Sequence, residues 1–540
     1  MKSGRYWLYS FLALAVFAAM FPACASATST PRFVVTLPAS QPQTLTGRVF
    51  VIIARSDEPE PRLQVGSWNS HAELLGSDVA GLEPGKAAVL DVLTLGYPLK
   101  SARELPAGDY YVQALFNVYT KFQRADGNTI WGHNMDQWEG QKFNTAPGNL
   151  YSEVRRFHLD PLSGYEIRLS LTQKVPPTRV PANTKYVQHF RIESKLLTQF
   201  WETPVYLGAT VLLPEGYAEH PSAHYPVIYE QGHFNLRPPL GFSEEPTTTP
   251  PREGRISGEE MFKRWTAPGF PRVIAVTFQH PTMYFDDSYA VNSANNGPFG
   301  DAVMTELIPY IEEHYRVIRQ PYARVLTGGS TGGWESLALQ VFHPEFFGGT
   351  WTFYPDPVDF SRYQIVDIYN DNNAFHAPGY DAPVPERPMR RTAEGQVEIS
   401  MRQLSQLEDV LGSHGRSGQQ LEAWEAVYGP VGADGYPKPL WDKETGRIDP
   451  AVAAYMRDHD YDLRYYMEKN WATIGPQLFG KLHIYCGDMD YFYLNLAVYR
   501  LEGFLRRASP AYGGSFEYGR PMKGHGWTPL NQAELVQVMA

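Results

Sequence analysis

Hydrophobic and polar positions change their period once along this chain. Between about Pro31 and Val175 the dominant period is two. Tyr110, Val112, Ala114, Phe116 and Val118 share one face of a predicted strand, with the turn residues Pro106-Ala107-Gly108-Asp109 just before it. Tyr165, Ile167, Leu169 and Leu171 alternate with polar residues in the same way, and Arg32–Leu37 and Arg48–Ala54 read as further strands. Several short strands separated by turns predict a β-sandwich-like unit over 31–175. Pro176-Pro177-Thr178-Arg179-Val180-Pro181 then interrupts the pattern, because proline removes a backbone donor and fits neither a helix interior nor a central strand. The predicted linker is 176–185.

From Tyr186 onward, apolar strands alternate with amphipathic helices. Val205–Leu213, Val227–Tyr229, Val273–Phe278, Val325–Leu326, Thr350–Tyr354 and Leu482–Tyr485 read as buried strands, with a weaker one at Phe516–Tyr518. Asp301–Arg316 reads as a helix burying Val303, Leu307, Ile308 and Ile311. This alternation predicts an α/β domain over 186–540 with a mostly parallel sheet. The stretch of about 361–470 is polar and broken by Pro and Gly, and is too long for a plain loop; it predicts a cap-like insertion.

The first 27 residues have the form of a signal peptide. Lys2 and Arg5 precede the apolar run Trp7–Ala23, and Ala25-Ser26-Ala27 offers a cleavage site. The expected location is therefore export, to the periplasm or the outer membrane. Phe21-Pro22-Ala23-Cys24 also loosely resembles a lipobox, so membrane attachment is expected only if Cys24 is lipidated. Cys486 then stands alone in the mature chain, and no Cys/His zinc pattern is present. Neither a metal nor a cofactor is expected. The net charge of −11, with no basic stripe, argues against a nucleic-acid partner.

The chemistry concentrates in Gly328-Gly329-Ser330-Thr331-Gly332-Gly333. It fits G-x-S-x-G between a predicted strand and a predicted helix, Trp334–Val341. That is the setting of a nucleophile elbow, with Gly328 and Gly332 leaving room for the tight turn around Ser330. A phosphate loop of the Walker type is excluded because no lysine follows the last glycine. A nucleophilic serine needs a base, and the base needs an orienting carboxylate. Downstream, Gly487-Asp488-Met489-Asp490 follows a strand and offers Asp488 or Asp490, and His525 lies in Gly524-His525-Gly526. The oxyanion donors are expected at the amides of Thr331 and of the Gly232-His233 loop after the strand Val227–Tyr229, with the His233 side chain structural. Asp286, Asp287, Asn295 and Asn296 are expected on the catalytic rim, either touching a polar substrate or capping a loop. Asp356 is a candidate pocket residue, and Trp131 and Trp138 are candidates for a sugar-stacking face.

Tyr225-Pro226-Val227-Ile228-Tyr229, Glu306-Leu307-Ile308-Pro309-Tyr310-Ile311-Glu312, the elbow, Gly487-Asp488-Met489-Asp490 and Gly524-His525-Gly526-Trp527 together resemble the "Putative esterase" family of α/β-hydrolases. Its relatives include enterochelin esterases, S-formylglutathione hydrolases and feruloyl or acetylxylan esterases. The resemblance spans nearly all of 186–540. It implies a cofactor-free serine carboxylic-ester hydrolase, and it favours Asp490 over Asp488, because the acid usually stands three residues after the glycine. The expected substrate is an acyl ester of a carbohydrate or other polar alcohol. A peptidase or acyltransferase on the same residues, and an inactive binding protein, are the competing expectations. Two features depart from the family: Gln231-Gly232 replaces the usual His-Gly, and the insertion after Phe360 is atypical.

Overall fold

Eight strands build the sheet that carries the candidate site, and within it they are numbered along the chain: β1 Val187–Glu193, β2 Tyr206–Leu212, β3 Val227–Gln231, β4 Ile274–Gln279, β5 Arg324–Gly329, β6 Gly349–Phe353, β7 Leu482–Gly487 and β8 Ser515–Gly519. The computed structural model describes residues 30–70, 72–135, 138–246, 250–377 and 386–540. The segment expected to be a signal peptide, with Cys24, lies outside them. Among the described residues, no helix is long and apolar enough to cross a membrane.

The strand order is β1-β2-β4-β3-β5-β6-β7-β8. β2 runs antiparallel to β1 and β4, and every other pairing is parallel. This is the mostly parallel α/β sheet expected from the alternating pattern. β4 is buried along its whole length, as a strand covered by helices on both faces must be. The helix predicted at Asp301–Arg316 is interrupted. Phe299–Ala302 passes through a π-turn, Val303–Leu307, into Ile308–His314. Pro309 is the physical reason: its nitrogen cannot donate to the carbonyl four residues back, and the ladder widens so that the Ile308 N–H reaches the Val303 carbonyl.

The N-terminal strands form two stacked sheets. Arg32–Thr36 pairs with Glu166–Ser170 and Ala87–Asp91, and the larger sheet contains Leu45–Ala54, Glu73–Leu82 and Gly108–Val118. Phe33 and Val35 of the first meet Val49, Val51, Val112, Ala114 and Phe116 of the second. The strand at Gly108–Val118 is not half-buried as its period suggested. Leu115 is 0% exposed, and Phe50, Ile52 and Leu115 on the far face join Phe143 in the core of the α/β domain. The sandwich therefore shares a continuous hydrophobic core with the eight-stranded sheet. Phe143 packs against Phe50 with ring centroids 4.8 Å apart; removing a buried phenyl of this kind costs about 3–5 kcal/mol. Arg48 crosses the same interface to the Asp409 and Val410 carbonyls at 2.9 Å each. Residues 176–185 are irregular and largely exposed.

The insertion contains the helices Met401–Leu411 and Gln420–Tyr428. The second is buried all round apart from its first residue, with Glu422 and Glu425 facing Lys443. Glu408 completes this cluster, 3.3 Å from Lys443. Three carboxyls thus surround one ammonium in a dry core. Burial pushes Glu408 up to about 7 and Glu422 up to about 8, with Lys443 pulling both back in part. A carboxyl raised in the folded state is most favourable below its unfolded value, and its contribution is lost as pH rises through the folded one. The native protein should lose stability between about pH 4.5 and 8 on this account. Glu422→Gln should raise the thermal midpoint more at pH 8.5 than at pH 5.5. Equal shifts at both pH values in differential scanning calorimetry would contradict it.

Candidate active site

Ser330 sits at the C-terminal end of β5, between that strand and the helix Thr331–Phe342. Its φ of 59° and ψ of −122° lie where a residue with a Cβ is strained. Three main-chain bonds hold it there: Ser330 N–H donates to the Phe353 carbonyl at 3.1 Å, and the Ser330 carbonyl accepts from Trp334 at 3.1 Å and Asp356 at 3.2 Å. Glycine is obligatory on both sides. A Cβ at Gly328 would stand 2.2 Å from the Gly332 carbonyl oxygen, and one at Gly332 would stand 2.1 Å from the Gln231 carbonyl oxygen and 2.7 Å from the Gly232 nitrogen. The same closeness brings the amide of Gly232, just past β3, beside the start of the helix. The Thr331 amide is at the first helical position, where the helix itself supplies no acceptor.

Asp490 and His525 meet across the ends of β7 and β8. His525 Nδ1 is 2.8 Å from Asp490 Oδ2. Asp490 is fully buried and its other oxygen accepts from the Phe492 amide at 2.9 Å. Asp488 has a different task, accepting from the Lys523 amide at 3.2 Å and so holding the turn that carries the histidine. The His525 ring is wedged edge-on between Tyr354 and Phe492, with centroids 4.7 and 4.9 Å away. Among the described residues, the Ser330 hydroxyl's partner is not His525 but Asp356 Oδ1, at 3.4 Å.

Asp356 is 3% exposed and lies just past β6. Its Oδ2 accepts from Tyr289 Oη at 2.6 Å, Thr331 Oγ1 at 3.0 Å and Gln420 Nε2 at 3.1 Å. Burial raises its pKa, and the bonds from Tyr289 and Thr331 offset part of that rise. Trp424 Nε1 also donates to Tyr289 Oη, at 2.7 Å. The insertion helix is thereby tied to the elbow through Gln420 and Trp424. No periodic signal in the sequence marked these two residues. Asp356 was detectable only by its place at a strand's carboxyl end.

A cavity of about 1440 Å³ opens above Ser330, lined by Gly232, His233, Asp286 and Asp356 from the α/β domain. Gln419 and Gln420 line it from the insertion, and Trp68, Lys142 and Asn144 from the sandwich. His233 is 47% exposed on its side chain, opening into this cavity. Burial alone would lower its pKa, but the Asp286 carboxylate at 2.9 Å and Asp287 at 3.3 Å raise it well above the usual imidazole range. Asn295 turns away from the site, donating to the Ala426 and Gly429 carbonyls at 3.2 and 2.9 Å and anchoring the insertion. Trp138 also lines the cavity but is 8% exposed, edge-on to Phe234 and packed over Gly208; Trp131 bonds through its main chain to Tyr436 of the insertion. The two do not form an open stacking face.

Residues 205–355, from the strand β2 region through the elbow to the end of β6, match the family described as "Putative esterase". No curated protein matches the chain. Solved structures similar to it include a ferulic acid esterase, 14% identical, with 65% of this chain and 94% of that chain covered and a TM-score of 0.35. An S-formylglutathione hydrolase from Agrobacterium tumefaciens is 13% identical, with 66% and 94% covered and a TM-score of 0.33. A ferulic acid esterase from Anaeromyces mucronatus, solved with ferulic acid, is 14% identical, with 66% and 92% covered and a TM-score of 0.29.

Because the Gly332–Gln231 approach leaves no space for a methyl group, Gly332→Ala should destabilise the fold by roughly 2–4 kcal/mol in urea titration. A change below about 0.5 kcal/mol, the size of an ordinary surface substitution, would show that the elbow is not tight.

Proposed function

We propose, for a chain that is an ester-hydrolysing enzyme of α/β-hydrolase fold, a serine mechanism acting on carboxylic esters outside the cytoplasm. The observation that carries this reading is Ser330, held at positive φ at the end of β5 and lining the cavity. Ser330 Oγ attacks the ester carbonyl. His525 takes the hydroxyl proton through Nε2 and returns it to the departing alcohol. Asp490, bonded to Nδ1, fixes the imidazole tautomer and stabilises the imidazolium. The amides of Thr331 and Gly232 receive the oxyanion, and water activated by His525 releases the acid and regenerates Ser330. Catalytic hydrogen bonds often tighten only when substrate is bound, so the Ser330–His525 bond is assigned to the complex. Gly524 and Gly526 flank the histidine and allow that small adjustment.

Size supports a large substrate. Ligand pockets for small molecules run about 300–1,000 Å³, and this one is about 1440 Å³. Its lining combines aromatic faces, Trp68 and Phe492, with the neutral hydrogen-bonding groups of Asn144, Gln419 and Asn235. Such a surface suits a hydroxyl-rich alcohol with an apolar face, as in a carbohydrate ester. Export rests on the N-terminal pattern of Lys2, Arg5 and Trp7–Ala23.

Ser330→Ala should abolish hydrolysis of p-nitrophenyl acetate followed by nitrophenolate absorbance, and Asp490→Asn should reduce kcat by about 10²–10⁴-fold. A wild-type protein inert both to this ester and to a fluorophosphonate would sink the serine mechanism. Trp68→Ala should raise KM for an acylated oligosaccharide several-fold while leaving p-nitrophenyl acetate unchanged. Parallel changes for both esters would remove the sandwich from substrate recognition.

A further inference from the structure

The turn after β4 presses two carboxyl groups against the first side chain beyond the Gly232 amide. His233 Nδ1 stands 2.9 Å from Asp286 Oδ1 and 3.3 Å from Asp287 Oδ2. One ligand atom from each of the three lies within 4.8 Å of the others. Donors adjacent on a cation with bonds of about 2.0–2.2 Å are themselves about 3 Å apart, so an ion fits among these atoms with little movement.

A second observation lies behind this group. Glu335, on the helix that starts at the elbow, is 0% exposed, and neither of its carboxylate oxygens has a hydrogen-bond partner. Its neighbour is Asp287, and the two carboxyls can bond to each other only while one of them keeps its proton. Asp287 is 1% exposed; its Oδ1 accepts from the Tyr289 amide at 3.1 Å, while its Oδ2 has no hydrogen-bond partner. The other neighbour is His280, whose Nε2 is 3.9 Å from Glu335 Oε1 and whose Nδ1 accepts from the Ser288 amide at 3.0 Å. Three carboxyl groups thus lie beside two imidazoles, and the His233 Nδ1 that meets Asp286 is the nitrogen a cation would take. The arrangement sets a buried carboxyl that no N–H or hydroxyl donor reaches directly behind the cluster, and buried acidic groups of this kind are ordinarily paired or bound to a metal.

We propose that His233, Asp286 and Asp287 form a divalent-cation site, backed by the buried Glu335 carboxyl. One imidazole nitrogen with carboxylate oxygens suits zinc or manganese better than the all-oxygen preference of magnesium or calcium. His233 and Asp286 both line the cavity, so the remaining coordination positions open toward substrate. The ion would pin the loop bearing the Gly232 amide to the turn after β4. None of this requires that Ser330 be the nucleophile.

The test uses the mature chain stripped with a chelator, then titrated separately with Zn²⁺ and Mn²⁺ by isothermal calorimetry, with thermal unfolding in parallel. One ion should bind one-to-one and raise the midpoint by several degrees. Both effects should vanish in Asp286→Asn and in His233→Gln. Because the His233 side chain is half-exposed, His233→Gln serves as the decisive variant if Asp286→Asn fails to fold. Absence of binding by both ions in the wild type overturns the site, as does binding of unchanged affinity in His233→Gln. Fluorophosphonate labelling of Ser330, scored separately, keeps a failed metal site distinct from a failed serine mechanism.

Discussion

The approach of Gly332 to the Gln231 carbonyl, with no room for a Cβ between them, sets the position of everything around the cavity. It draws the end of β3 against the start of the helix after β5. The Ser330 hydroxyl, the Thr331 amide and the Gly232 amide all derive their mutual placement from that one main-chain contact. The strained φ of Ser330 follows from the same geometry. Such strain persists only where surrounding structure over-determines the backbone, and here the Phe353, Trp334 and Asp356 main-chain bonds do so.

Around this centre, segments far apart in sequence are joined by burial rather than appended. The sandwich and the catalytic sheet share Phe50, Ile52, Leu115 and Phe143 in a single core with residues of the insertion such as Leu404, Leu407 and Trp424. Asp356 then connects that packing to Ser330, since its carboxyl holds Thr331, Tyr289 and Gln420 together. All three segments wall the one cavity. Its shape depends on the large sheet of the sandwich being buried on both faces.

Charge is handled in compact clusters, each in a different way. Lys443 neutralises part of Glu408, Glu422 and Glu425 within the insertion. Asp356 is met by neutral donors only. His233 opposes Asp286 and Asp287, with Glu335 unpaired behind them. The last cluster is the one that leaves a buried carboxyl with no N–H or hydroxyl donor, and it borders the loop that carries the Gly232 amide.

Much of the catalytic sheet was legible because buried parallel strands are continuous apolar runs, as at Val273–Phe278, and because glycines at 328 and 332 around a serine have a specific steric meaning. The resemblance to the esterase family, carried by those same motifs, holds over 205–355. Local pattern did not reveal that the far face of Gly108–Val118 is buried, since Gln113 and Asn117 read as solvent-facing and are 1% and 3% exposed. Nor did it distinguish Asp490 from Asp488 without the family resemblance; the two are separated by which carboxyl turns toward His525, a matter of loop direction. The sequence by itself determined much of the strand and helix order and the tight turn at Ser330, because these depend on neighbours a few residues away. Only the tertiary structure decided that Trp68, Lys142, Gln420 and Asp356 border one cavity and that three carboxyls face His233. Those pairings join residues tens to hundreds of positions apart, and chain folding, not local propensity, sets the distances between them.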